Sequence, residues 1–173
     1  CSQRPLPDIN LYDCTTWFRN NNEVRAAPYV SWADIGDRVR YRKNRGFGGA
    51  TDQISVSGNA QSCSSKGLTG EKPRKITQID TFSLTTLGFG FSVSPTTVSG
   101  SISISANGTV VTITNVVENT NCVQHSYGIQ FAPTALGYTV SMQHTTTTTF
   151  EWGNGRTFTA VASDQTYFPF AVR

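Results

Sequence analysis

Two histidines, His125 and His144, are the first residues to test for chemistry, because the chain has no others. A hairpin with its loop at Pro133 to Leu136 would pair the flanking strands and set His125 opposite His144. Two imidazoles can begin a metal site, but a third ligand would require Glu118 or Glu151 to fold over them. Paired surface histidines on a polar sheet face are the simpler interpretation, so we predict no metal site and no cofactor.

Common local catalytic motifs are absent from the sequence, which has no G-x-S-x-G nucleophile elbow and no H-E-x-x-H zinc motif. A small basic secreted protein with His, Glu and Arg could still cleave RNA by acid and base chemistry. Guanyl-specific fungal ribonucleases order these residues His, Glu, Arg, His, whereas here His125 and His144 precede Glu151 and Arg156. No carboxylate pair stands out for glycoside hydrolysis, and no residue is assigned a catalytic role.

A dense basic run between residues 38 and 45 is the feature that points most directly to a partner. Positive charge at this density attracts polyanions such as nucleic acid, sulfated glycan or anionic lipid headgroups. Tyr41 and Phe47 are interleaved with the charges and could contact such a partner. The predicted binding residues are Arg38, Arg40, Arg42, Lys43 and Arg45.

The local structure of the basic run has two interpretations. A helix starting at Ser31 would bury Trp32, Ile35 and Val39 and would spread the arginines around its surface. A strand would turn Val39 inward and would place alternate residues outward as a ridge. The residues on that ridge would be Arg38, Arg40 and Arg42. Binding by this cluster therefore depends on the strand interpretation.

The cysteines predict an oxidising compartment. Four are present, none in a CxxC spacing, so two disulfides are expected rather than a zinc ribbon. Among three possible pairings we favour Cys1 with Cys14 and Cys63 with Cys122, the second of which would add roughly 4 kcal/mol of stability. The chain opens at Cys1 without a Met or an apolar leader, which predicts a mature secreted protein whose signal peptide has been removed.

Residues 99–115 read as a hairpin with serine alternating with isoleucine before an Asn107-Gly108 turn. Arms of about nine residues and a serine-rich face resemble the membrane hairpins of pore-forming β-toxins. The arms contain no aromatic girdle residue, so the wall of a soluble β-core is the favoured interpretation. Asn107 also begins an N-glycosylation sequon. The predicted inward pairs are Ile104 with Val111 and Ile102 with Ile113.

The whole chain predicts a mainly β protein, an antiparallel β-sandwich or barrel built from consecutive hairpins. Residues 76–173 show strand alternation, including a hairpin at Gly153-Asn154-Gly155 that places Phe150 across from Phe158. Residues 1–75 read as a basic, irregular, disulfide-linked part with one or two short helices. This part has a net charge of +5, against −2 for residues 76–173.

These patterns favour a secreted, non-enzymatic binding protein of the effector or toxin type. The expected partner is an extracellular protein, a glycan or the anionic surface of another cell, and the expected location is extracellular. No run approaches the roughly 20 apolar residues of a membrane helix, so no stable membrane span is predicted. A secreted hydrolase or ribonuclease and a pore-forming toxin stay open as alternatives.

Overall fold

The computed structural model describes residues 2–6, 9–26, 29–46, 49–65, 70–88, 91–98, 102–107, 110–133 and 137–167. These residues form eleven strands in chain order. The strands are β1 (Ser2–Leu6), β2 (Ile9–Ala26), β3 (Tyr29–Gly46), β4 (Gly49–Ser64), β5 (Lys75–Gly88), β6 (Phe91–Val98), β7 (Ile102–Asn107), β8 (Val110–Glu118), β9 (Cys122–Pro133), β10 (Gly137–Glu151) and β11 (Thr157–Tyr167). The described part of the chain contains no helix that could cross a membrane.

Two antiparallel sheets pack face to face, which confirms the predicted sandwich. One sheet has six strands in the order β1-β2-β3-β4-β9-β6, and the other has five in the order β11-β10-β5-β8-β7. Side chains of β2 also bond across to β11, where the Asn20 and Asn22 amides donate to the carbonyls of Ser163 (2.9 Å) and Val161 (2.7 Å).

The N-terminal part is extended rather than irregular, and the prediction of a helix from Ser31 is wrong. Residues 31–41 lie in β3, where every second side chain is buried, starting with Ser31 and ending with Tyr41. The Ser31 hydroxyl contacts the Ser64 hydroxyl at 2.9 Å on β4 instead of capping a helix. The period-2 alternation of apolar residues outweighs the weaker helical spacing because both long edges of β3 are paired with neighbouring strands.

The predicted hairpin between β9 and β10 is also wrong. β9 pairs with β4 and β6 in the six-stranded sheet, whereas β10 pairs with β5 and β11 in the other sheet. The chain therefore crosses from one sheet to the other after Pro133. The β10–β11 hairpin has the predicted register, with Phe150 opposite Phe158.

Strand β8 forms part of the core wall, but the β7–β8 register is shifted by two residues from the prediction, and the prediction that Ile104 points into the core is wrong. Ile104 lies opposite Ile113, and Asn107 lies opposite Val110. The two-residue shift preserves which face each side chain occupies. Val111 and Ile113 on the inner strand β8 are fully buried, while Ile104 on the edge strand β7 is 37% exposed. The side chain of Ile102 lies outside the described residues.

The disulfide predicted between Cys63 and Cys122 is present and joins the neighbouring strands β4 and β9. The link spans 59 residues of sequence and closes the end of the six-stranded sheet. The predicted Cys1–Cys14 pair lies outside the described side chains.

Ile113 tests the role of β8 as core wall. Replacing Ile113 by Ala should lower the free energy of unfolding by about 2–5 kcal/mol, because it removes buried methylenes and leaves a cavity. The matched control is Ile104→Ala, which changes the same residue type directly opposite on the exposed edge strand and should cost much less. Chemical denaturation measures both changes, and equal costs would contradict the burial of β8.

Candidate functional site

A polar cluster is buried between the two sheets, in the middle of an otherwise apolar core. It draws on five strands, and its members are Asp37 of β3, Ser62 of β4, Gln78 and Asp80 of β5, His125 and Tyr127 of β9, and His144, Thr146 and Thr148 of β10. All of these residues are at least 97% buried. We call this set the buried cluster.

Strand alternation places each member of the buried cluster inward. On β10 the inward residues run from Met142 through His144 to Phe150, and on β5 they run from Ile76 through Asp80 to Leu84. Since side chains two residues apart in a strand share a face, these polar groups project into the core together with apolar neighbours.

His144 joins the two sheets through two carboxylates. Its Nδ1 lies 2.7 Å from Asp37 Oδ2 of the facing sheet, and its Nε2 lies 2.8 Å from Asp80 Oδ1 of its own sheet. Ionised carboxylates only accept hydrogen bonds, so both ring nitrogens donate and the imidazole is positively charged. Burial lowers the pKa of His144, but the hydrogen bonds to Asp37 and Asp80 outweigh this effect and raise it to about 9.

Asp80 is the hub of the buried cluster, with Thr146 donating its hydroxyl to Oδ1 and His125 Nε2 lying 3.0 Å from Oδ2. Burial raises the pKa of Asp80, but the contacts with His125 and His144 outweigh it and hold that pKa below the usual range. The His125 contact is close but poorly aligned for a hydrogen bond, and neither ring nitrogen of His125 has a hydrogen-bonding partner among the described residues.

Tyr127 completes the cluster from β9. Its hydroxyl donates to Asp37 Oδ1 at 2.5 Å, and burial together with the negative charge of Asp37 raises the pKa of the phenol. The Phe82 ring stacks on the His144 ring with centroids 4.1 Å apart, which covers the imidazolium with an aromatic face. The cluster is therefore enclosed by aromatic and aliphatic groups.

The prediction of surface histidines facing each other in a hairpin is wrong. His125 and His144 lie in opposite sheets, both are buried, and they meet through the two oxygens of Asp80. The third ligands considered from the sequence lie elsewhere, since the Glu151 carboxylate pairs with Arg74 at the end of the sandwich. Within the described residues, no group of three His, Cys, Asp or Glu side chains is arranged to hold a metal ion.

Within the described part of the structure, the side chains of the buried cluster are closed off from solvent. Its charged groups hold the two sheets together through the contacts of His144 with Asp37 and Asp80. Sequence reasoning missed Asp37 and Asp80. The signal that could have found them is their position in step with buried apolar residues of β3 and β5.

The basic run lies on β3, in agreement with the strand interpretation. Arg38 and Arg40 project from the outer face while Val39 and Tyr41 are buried. With Ser55 and Ser57 of β4 these arginines line a shallow groove of about 150 Å³. The side chains of Arg42, Lys43 and Arg45 lie outside the described residues, as does that of Asn107, the predicted glycosylation site.

Trp17 of β2 extends this outer surface. Its ring is 71% exposed, and the Arg38 guanidinium carbon lies 5.3 Å from the ring centroid. We call Trp17, Arg38, Arg40, Ser55 and Ser57 the outer groove. It places the exposed Trp17, Arg38 and Ser57 beside the half-buried Arg40 and Ser55.

Comparison with known proteins gives distant structural likenesses. A chain from the structure that describes the manganese lipoxygenase of Gaeumannomyces graminis and part of the zonadhesin of Komagataella pastoris aligns at 7% identity with a TM-score of 0.31. The alignment covers 82% of this chain and 66% of that one, so this chain spans just under two thirds of its length. No family model and no curated protein matches the sequence.

Two further structures align over most of the chain. The collagen adhesin of S. aureus gives 7% identity, a TM-score of 0.28 and coverage of 93% of this chain and 81% of the other. The collagen-binding domain of the Erysipelothrix rhusiopathiae surface protein RspB gives 6% identity, a TM-score of 0.26 and coverage of 96% and 82%. Likenesses at these scores carry no argument about function, which must come from the site itself.

The charge on His144 makes stability depend on pH. Its pKa is about 9 in the folded chain against 6.5 as the ordinary value, so its contribution is complete below pH 6.5 and is lost as pH rises through 9. The full loss is on the order of 3 kcal/mol, since one pKa unit corresponds to about 1.4 kcal/mol. Asp80 acts in the opposite sense, losing its contribution as pH falls below its ordinary value.

Chemical denaturation of the wild type should show a free energy of unfolding that falls as pH rises from 6.5 through 9. The variant His144→Gln should be less stable, and its free energy of unfolding should depend much less on pH across this window. The variant His125→Gln should keep the pH dependence of the wild type, because Asp37 and Asp80 still hold His144. Stability that stays level or rises across the window in the wild type would refute the charged state of His144.

Gly58 leaves the space that Asp37 needs. It lies between Asp37 and Tyr127 in the ladder, and a Cβ there would stand 2.2 Å from the Gly36 carbonyl oxygen and 3.0 Å from Asp37 Oδ1. Gly58→Ala should therefore cost about 1–3 kcal/mol or more, as overpacked cores do. Gly153→Ala is the control, because its Cβ would meet nothing within 4 Å. Thermal and chemical unfolding compare them, and a neutral Gly58→Ala would count against the crowding.

Proposed function

We propose that this chain is an extracellular, non-enzymatic binding protein that holds an anionic glycan on the outer groove. The observation that carries the proposal is the exposed Trp17 ring with Arg38 beside it on the face of a long sheet. Such binding would serve a protein that acts on another cell as an effector or toxin.

The aromatic ring supports a carbohydrate partner. A tryptophan 71% exposed on a strand leaves a large apolar face in water, and exposed apolar surface of this kind often marks a contact site. The faces of sugar rings present C–H groups that pack on aromatic rings, whose amphipathic character suits interfaces that are part apolar and part wet. The Arg38 guanidinium lies over this ring, with its central carbon 5.3 Å from the ring centroid.

The charges of the groove support an anionic partner. The exposed Arg38 carries a planar guanidinium group, and such groups bind sulfate or carboxylate through paired hydrogen bonds. Ser55 and Ser57 add hydroxyls that can donate to sugar oxygens. Arg42 holds the next position on the ridge that strand alternation predicts for β3, so a long polymer would meet a further cation along the same strand.

The disulfide bond supports the proposed extracellular location. The Cys63–Cys122 disulfide persists in oxidising compartments and is rare in reducing ones. The low charged fraction, 14%, with many hydroxyl side chains, also fits a surface that faces other polar polymers. The enclosed buried cluster offers no opening for hydrolysis of a glycan.

Heparin retention tests the proposal. The triple variant Arg38→Gln, Arg40→Gln and Arg42→Gln should elute from heparin at clearly lower salt, because charge attraction acts over about 10 Å at 0.1 M salt. Trp17→Ala should weaken binding with little change in salt dependence, because it removes a stacking face and no charge.

The matched control replaces three cations distant from the groove, Arg25, Arg74 and Arg156, by Gln. It should reduce retention far less than the groove variant, although both lose the same charge. Unchanged elution of a folded groove variant, or an equal loss in the control, would refute the outer groove as the site. Retention on RNA stronger than on heparin, abolished by the same groove variant, would replace the glycan by nucleic acid.

A further inference from the structure

Gln78 carries a buried amide whose polar atoms are unpaired within the part of the chain that the structure describes. The residue is fully enclosed on β5, and neither its Nε2 nor its Oε1 has a hydrogen-bonding partner among the described residues. Leaving both a donor and an acceptor unpaired in a core is costly, and such groups in a folded protein call for an explanation. The amide is also an acyl group, which a nucleophile can attack.

A nucleophile lies next to Gln78. Thr148 is its direct partner on β10, and both side chains are buried, so they project from the same face of the sheet. Directly opposed residues in an antiparallel pair have Cβ atoms about 4.5–5.5 Å apart, which leaves the Thr148 hydroxyl within reach of the Gln78 carboxamide. The same hydroxyl lies 2.7 Å from the Ser62 hydroxyl of the facing sheet.

A base lies next to Ser62. His125 stands opposite Ala60, two residues from Ser62 on the same face of β4, which makes His125 and Ser62 diagonal neighbours. Neither ring nitrogen of His125 is engaged in a well-formed hydrogen bond, while Asp80, two residues from Gln78, lies 3.0 Å away to stabilise a positive charge on the ring. Acyl group, hydroxyl, base and carboxylate thus occupy neighbouring positions between the sheets, and the side chains of Ser62 and His125 must turn toward each other before a proton can pass between them.

From this arrangement we propose that Gln78 and Thr148 join in an intramolecular ester that links β5 to β10. The Thr148 Oγ1 attacks the Gln78 Cδ, and its proton passes through the Ser62 hydroxyl to His125. The Cδ–Nε2 bond then breaks, His125 returns the proton to the departing nitrogen, and ammonia leaves. One C–O bond forms, one C–N bond breaks, and no oxidant or reductant is needed.

The ester also accounts for the unpaired amide. Reaction removes the Nε2 donor as ammonia and turns the amide oxygen into an ester carbonyl, which is a weaker acceptor and costs less to leave unpaired. A water-free interior protects the product from hydrolysis, because the same enclosure that excludes substrates also excludes water. The result would be a covalent tie within the five-stranded sheet, complementary to the disulfide in the other sheet.

The intact mass of the purified, fully reduced chain tests the proposal. We expect a mass lower than that of the sequence by one molecule of ammonia. Trypsin cannot locate the link, because no Lys or Arg lies between Lys75 and Arg156. Chymotrypsin cleaves after Phe82 and Tyr138, so mapping should find the Gln78 peptide joined to the Thr148 peptide. A wild-type chain of full mass, with the two peptides separate, would overturn the ester without recourse to any variant.

Variants identify the reacting atoms. Gln78→Leu and Thr148→Val should each restore the mass expected for their sequences, and His125→Gln should slow the loss of ammonia. Asn107-Gly108 and Asn154-Gly155 can also lose ammonia by forming succinimides, so the control variant Asn107→Gln with Asn154→Gln must keep the loss. Loss of ammonia that disappears in this control, or a link mapped to Ser62, would refute the assignment to Thr148.

Discussion

The Asp37–His144–Asp80 chain is the interaction on which this sandwich depends. Moving an isolated charge into a dry core costs far more than the net stability of a domain, so these groups can be buried only together. His144 sits between one carboxylate from each sheet, at 2.7 and 2.8 Å. The pairing exists only when the two sheets meet in one relative position, so the charges select that position among the many that an apolar core alone would accept.

The same requirement fixes details away from the histidine. A one-residue slip of β3 or β10 would turn Asp37 or His144 to solvent and would leave its partner buried alone. Gly58 has no side chain because Asp37 and Tyr127 approach across it. Apolar layers on both sides of the cluster, including Ile129 and Phe150, complete the core that keeps water away.

Much of the fold could be predicted from local sequence, because period-2 alternation identifies a strand without reference to its neighbours. The strand character of Arg38 to Tyr41 and the register of the β10–β11 hairpin follow from it. The assignment of β9 and β10 to different sheets does not follow from this alternation, because a loop near Pro133 is compatible with a crossing between sheets as well as with a hairpin. The buried cluster was missed because its contacts are between strands distant in sequence, although Asp37 and His125 are both in step with buried apolar residues.

The charge asymmetry of the sequence becomes an asymmetry between the two sheets. Residues 1–75, with a net charge of +5, supply β1 to β4, and the strands that complete that sheet, β6 and β9, contain no charged residue. The other sheet is built from residue 75 onward, where the net charge is −2 over residues 76–173. The anionic partner that we propose would therefore be drawn toward the sheet that carries the outer groove. Since the buried cluster holds its charges inside, binding of that partner would depend on the outer groove, while the interactions of the cluster keep the two sheets in a fixed relative position.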